Sequence, residues 1–128
     1  MKNLLSIIAI ILISLNVQAD TPVVSNTLNL KAADQSFGFF RVHRMADDAS
    51  LSWGISNPLQ AASFIIERSY DGVEFETIDV LAANGSASYR YRDNTVFPGV
   101  SYFRITCVNT DNSEVQSAIV DLRIVKRK

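Results

Sequence analysis

The chain of 128 residues has one cysteine, Cys107, and one histidine, His43. A lone cysteine excludes an internal disulfide, so the fold must be held by its core. A lone histidine leaves a serine triad one candidate base. No histidine follows Cys107 in the chain to activate it as a nucleophile, and a small buried hydrophobe is its expected role. His43, Met45 and Cys107 are too few soft ligands for a copper site, so His43 is expected on the surface and Met45 in the core. The carboxylates Asp47, Asp48, Asp71, Glu74, Glu76 and Asp79 fall in or beside turns. None belongs to the dense D-x-D-x-D-G loop that calcium requires. No catalytic residue, cofactor site or metal ligand is expected, and the chain reads as a non-enzyme.

Long apolar runs are also missing, except at the start. Lys2 precedes LLSIIAIILISL (residues 4–15), and Val17-Gln18-Ala19 ends in a small residue before Asp20. This basic, apolar, small-residue order predicts a signal peptide over residues 1–19. The run is shorter than the roughly 20 residues of a membrane span, and no span is expected after cleavage. The expected destination is the periplasm, the medium or the cell surface. Loss of Lys2 leaves 11 Lys/Arg and 13 Asp/Glu, a net charge of −2. Nothing in that balance draws the chain toward nucleic acid or an anionic membrane.

Helical periodicity is the third absence. Residues 20–36 are polar and aperiodic, which predicts a flexible leader. From Phe37 to Val125 short apolar stretches alternate with turn signals, the pattern of an all-β sandwich or barrel. Predicted strands cover residues 37–45, 50–56, 63–69, 75–82, 87–93, 100–108 and 117–125, and a basic tail occupies 126–128. Seven antiparallel strands fit a two-sheet, immunoglobulin-like sandwich.

Alternation assigns the core. Leu51, Trp53 and Ile55 share one face of their strand, opposite Ser50, Ser52, Gly54 and Ser56. Phe64 and Ile66 share a face with Arg68. Tyr70-Asp71-Gly72 reads as a tight hairpin turn, with Gly72 at positive φ. The turn drops Phe75 onto the core and leaves Glu67 and Arg68 wet at the rim. Asn84-Gly85 and Pro98-Gly99 are further turns. Tyr89 and Tyr91 face inward, so Arg90 and Arg92 form a solvated basic edge and not part of a stacking platform for bases. Phe103, Ile105 and Cys107 point inward, which leaves Tyr102 a bulge or edge role. Ala118, Val120, Leu122 and Ile124 form the inner face of the last strand.

The segments LSW (51–53), FIIERSYDGVEF (64–75), YRYRD (89–93) and PGVSYFRI (98–105) together resemble a fibronectin type III domain. They look most like the variant that precedes C-terminal sorting domains in bacterial proteins exported by the type IX route. In that variant the hairpin reads F-x-V-E-R-S-x-D-G-x-x-F, with a tryptophan upstream at the interval that separates Trp53 from Glu67. Pro58-Leu59-Gln60 departs from its usual polar E-x-N, and no sorting-domain sequence follows residue 125 here. Export through the signal peptide is therefore the expected route.

The resemblance implies a fold and no activity. The expected function is an exported, non-catalytic binding or structural module that meets a protein or glycan partner at the envelope or cell surface, through loops or a sheet edge. The alternative is a small ligand carrier or enzyme with a pocket between the sheets.

Overall fold

The structure, a computed structural model, describes residues 34–125. The expected signal peptide, most of the leader and the basic tail lie outside the described residues. Among the described residues, two antiparallel sheets are built from eight strands, one more than the sequence predicts. The first sheet has the order β1 (Phe37–Met45), β2 (Asp48–Ile55), β5 (Ser88–Asp93). In the second, β3 (Ala61–Ser69) lies between β4 (Glu76–Ala82) and β6 (Gly99–Asn109). The short strands β7 (Glu114–Gln116) and β8 (Val120–Ile124) pair with successive stretches of β6.

The extra strand, β7, forms from residues 114–116, just before the expected last strand, and Ser117 separates it from β8. The Ser117 backbone N–H donates to the Ile105 carbonyl at 2.8 Å, while its hydroxyl accepts from the Ile105 N–H at 2.9 Å. That hydroxyl also donates to the Ala118 carbonyl. A side chain standing in for a backbone partner interrupts the ladder. Ala118, expected inside, is exposed, and Val120 and Leu122 are half-buried. Leu122 still packs against the core.

The two sheets close on a buried cluster. β2 contributes Leu51, Trp53 and Ile55, β3 contributes Phe64 and Ile66, and β6 contributes Phe103, Ile105 and Cys107. Trp53 lies directly opposite Tyr89 across β2 and β5 and stacks on it, with ring centroids 6.0 Å apart. Phe64 crosses from the other sheet, 5.5 Å from Trp53 and 4.5 Å from Tyr89. Buried Tyr89 keeps its polar tip satisfied, since its oxygen accepts the backbone N–H of Asn84 in the crossover loop. Tyr91, next inward on β5, is half-buried against the core; burial, then the neighbouring Asp79, raises its phenol pKa.

Arg68 departs furthest from its expected place. It is 8% exposed, on the inner face beyond Ile66, and its Nη1 donates to Asp93 Oδ2 at 2.6 Å. Asp93, 2% exposed, continues the inward row of Tyr89 and Tyr91 on β5. Thr95 accepts from Arg68 Nη1 and donates to Asp93 Oδ1, and the exposed Glu76 takes Arg68 Nη2. Burial works against the Arg68 cation, but the hydrogen bond and charge of Asp93 outweigh it and hold its pKa above the ordinary value. The pair bridges the two sheets at one end of the core. Glu67 is not at a wet rim either: on the opposite face of β3 it accepts two hydrogen bonds from Arg104 and one from Thr106.

The Tyr-Asp-Gly turn belongs to a six-residue loop, 70–75, between Ser69 and Glu76. Asp71 Oδ1 accepts the N–H groups of Val73 and Glu74 and the Ser69 hydroxyl, and these bonds hold its carboxyl below its usual range. Gly72 has φ +81° with its Cα side against the Tyr102 ring. The longer loop puts Phe75 out of phase with the core. It is half-buried, with the Arg104 guanidinium 4.2 Å above its ring. Tyr102 itself lies within a regular ladder between Ser69 and Asp121, so it is neither bulge nor edge.

Pro98 is exposed and Gly99 opens β6 at φ +110°. At the other end, the leader boundary moves. Gln35 is buried, and its amide exchanges two hydrogen bonds with the backbone of Asn57, each 2.7 Å. Its Nε2 also donates to Asn109. Residues 34–36 therefore belong to the domain.

Three outcomes test this packing. Trp53→Ala is expected to cost about 3–5 kcal/mol, because a large aromatic leaves a closed interior; a urea midpoint close to wild type would mean the ring faces solvent. Arg68→Ala strands a buried carboxylate and is expected to cost about 3–5 kcal/mol, while Arg68→Met with Asp93→Asn costs less than that single change. Equal and small losses in both would place the pair in water. Burial pushes the Cys107 thiol pKa up, so native protein should react slowly with an aromatic disulfide reagent at pH 7 and quickly when unfolded. Its folded pKa is raised, so the associated stability is full below the unfolded thiol value of about 8.5 and is lost as pH rises through the folded value. Rapid native labelling would contradict the inward assignment.

Candidate functional site

The outer face of the first sheet is the counterpart of its core face. Because Trp53 and Leu51 turn inward, Ser50, Ser52 and Gly54 of β2 turn outward. β1 sends Phe39, Arg41, His43 and Met45 to that same outer face, and β5 sends Ser88, Arg90 and Arg92. The register aligns them in rows. Arg41, Ser52 and Arg90 form one row; His43, Ser50 and Arg92 form the next. Small residues occupy the middle strand and long cationic ones the strands on either side. The result is an open groove of about 700 Å³ along β2.

Each end has its own cause. At one end Phe39 lies across Gly54, where a Cβ would come within 2.5 Å of the ring. Only glycine leaves room for that ring over the central strand. At the other end Met45, expected in the core, is 43% exposed beside the two-residue β1–β2 turn. That turn places Ala46 at φ +57°. Arg44 braces it from the other side of the strand, donating to the Ala46 carbonyl and to Asp47.

The charges are only partly compensated. Arg92 pairs with Asp48 at 2.7 Å, both partners retaining access to solvent; such a pair contributes about 0–1 kcal/mol. The Arg41 guanidinium lies 4.6 Å over the Phe39 ring. Among the described residues neither Arg41 nor Arg90 has a carboxylate partner. Ser50 is 9% exposed at the groove floor, and its hydroxyl makes no hydrogen bond among the described residues.

His43 is exposed and lies opposite Ser50, but no hydrogen bond joins it to a hydroxyl or carboxylate among the described residues. Cys107 is buried in the other sheet, so it does not meet His43 and Met45. The described residues contain no group of three or more His, Cys, Asp or Glu placed to hold a metal ion. Sequence reasoning identified Arg90 and Arg92 as a basic edge; it missed Arg41 and the groove. The available signal was two outward arginine patterns, R-x-H and R-Y-R, flanking an outward S-x-S on the strand between them.

A second exposed feature lies at one end of the sandwich. Tyr70 of the 70–75 loop stacks on Phe97 of the β5–β6 loop with centroids 5.8 Å apart. Both rings and Val73 are exposed.

No protein-family model matches the chain, and no curated protein matches it. Solved structures do. Pectate lyase Pel3 from Pectobacterium carotovorum superposes with a TM-score of 0.58 at 17% identity, over 73% of this chain and 27% of that one. Pectate lyase PelI from Erwinia chrysanthemi, in complex with tetragalacturonic acid, gives 0.55 at 18% identity, over 70% of this chain and 28% of the lyase. This chain thus spans little more than a quarter of either lyase. The sixth fibronectin type III domain of a human fibronectin type III domain containing protein gives 0.55 at 15% identity, over 77% of this chain and 93% of the domain. At these identities the likeness is one of fold, and residues 34–125 have a fibronectin type III-like fold.

Proposed function

We propose that the protein is an exported, non-catalytic binding module whose working surface is the groove on the outer face of the first sheet. The observation that carries this reading is the pair Arg41 and Arg90, two solvent-facing guanidinium groups on opposite walls with no carboxylate partner among the described residues. Long cationic side chains flanking small hydroxyl residues make a concave site ready for an anionic partner. Export rests on the sequence order of Lys2, the apolar run 4–15 and Ala19. The partner is then expected at the envelope or cell surface.

The PelI structure was solved with tetragalacturonic acid, and about 28% of that lyase shares this fold. That likeness supports the use of such a domain beside carbohydrate, while the argument for a ligand rests on the groove. The competing reading, a carrier or enzyme with a pocket between the sheets, is opposed by the rings of Trp53, Phe64 and Tyr89 filling that space.

Cells making the full chain test the reading by fractionation. Wild type is expected outside the inner membrane, retained on washed envelopes and released by raised salt, because exposed charges are screened beyond about 8 Å at physiological ionic strength. Arg41→Gln with Arg90→Gln should move it to the soluble exported fraction. Cytoplasmic protein, or retention indifferent to the double substitution, would overturn the proposal.

A further inference from the structure

Resting on that reading, we infer that the groove holds one extended strand of an acidic polysaccharide, with uronate carboxylates on Arg41 and Arg90 and sugar hydroxyls on the serine floor. The dimensions suit a polymer. Outward side chains recur about every 6.7 Å along a strand, and β1 and β5 stand about 9.5 Å apart across β2. From Phe39 to Met45 the groove runs roughly 20 Å, with the Phe39 ring over Gly54 at one end. It is a channel for a chain and not a cup for a single sugar.

The groups match that chemistry. Both groove cations without a carboxylate partner among the described residues are arginines, whose planar fork meets a carboxylate with two parallel hydrogen bonds. Beneath them Ser50, nine-tenths buried at the floor, and Ser52 offer hydroxyls with no hydrogen-bond partner among the described residues. A hydroxyl both donates and accepts, as a sugar hydroxyl does. The positive patch sits on a chain of net charge −1, so attraction is local to this face.

Other anionic partners fit less well. Single-stranded nucleic acid needs exposed rings for its bases. Here the rings of Tyr89 and Tyr91 turn to the core side, and Phe39 already lies beneath Arg41. A lipid surface needs several protruding apolar groups, whereas this face offers Met45 at one end and the exposed Tyr70 and Phe97 belong to loops elsewhere.

Calorimetry on the purified full-length chain tests the inference with four probes: a polyuronate oligomer, its methyl ester, a sulfated glycan of matched charge and a single-stranded oligonucleotide. Binding of the polyuronate and loss on esterification are expected. Arg41→Gln and Arg90→Gln should each weaken it about tenfold or more, the scale of one charged hydrogen bond. Ser52→Leu fills the floor without altering charge and should also abolish binding, with unfolding temperature recorded for every variant. Equal binding of the ester, tighter binding of the sulfated glycan or oligonucleotide, or an unaffected, folded Ser52→Leu would overturn the assignment. Absence of polyuronate binding alongside envelope retention that still needs Arg41 and Arg90 overturns the polysaccharide and leaves the binding-module reading standing. Retention independent of both arginines removes that reading itself.

Discussion

Alternation along β2 governs both faces of the first sheet. Trp53 must enter the core, where it stacks on Tyr89 and meets Phe64 from the opposite sheet. The period-two geometry of a strand then sends Ser50, Ser52 and Gly54 to the other side. With no disulfide possible, the two sheets are tied together by the buried core around that ring cluster, with the Arg68–Asp93 bridge at one end. The groove is a consequence of the same register. A one-residue slip would bring serines into the core and put the tryptophan where the floor now lies. Stability and the candidate site are thus set by one phase along one strand.

Most of the architecture was legible because inward and outward residues contrast. Leu51-Ser52-Trp53 and Phe103-Arg104-Ile105 declare their faces, and the structure buries Leu51, Trp53, Phe103 and Ile105 completely. The misplacements share a different cause: a partner distant in sequence. Arg68 looks like a rim charge until Asp93, 25 residues later, is seen to occupy the corresponding inward position on the other sheet. Gln35 looks like leader until it meets Asn57 and Asn109. A short turn would drop Phe75 onto the core, but the Asp71 carboxylate organises a longer loop and shifts the phase. Ser117, expected to open the last strand, instead ends β7 by offering its hydroxyl to the backbone of β6, and β8 starts only at Val120. Each case replaces a local rule with a specific hydrogen bond.

The groove was half legible for a related reason. Alternation places Arg90 and Arg92 opposite the inward Tyr89 and Tyr91, and Ser50 and Ser52 opposite the inward Leu51 and Trp53. What no single strand reveals is the order in which strands lie side by side. β1 and β5 are separated by more than 40 residues, yet they flank the same neighbour. Only that order turns two solvated edges into two walls.

Charge shows the same gap between sum and arrangement. The acidic and basic residues nearly cancel over the chain, and the total alone predicts no electrostatic partner. On the second sheet the cancellation is local, since Glu67 takes Arg104 and Thr106 on its outer face. On the first sheet it is incomplete: Asp48 meets Arg92, while Arg41 and Arg90 face solvent without a carboxylate. Two outer faces of one sandwich, built by the same alternation, therefore differ in what they can do. On the second, Glu67 holds Arg104 while Asp121 and Arg123 lie exposed on β8; on the first, Arg41 and Arg90 stand on either side of one groove.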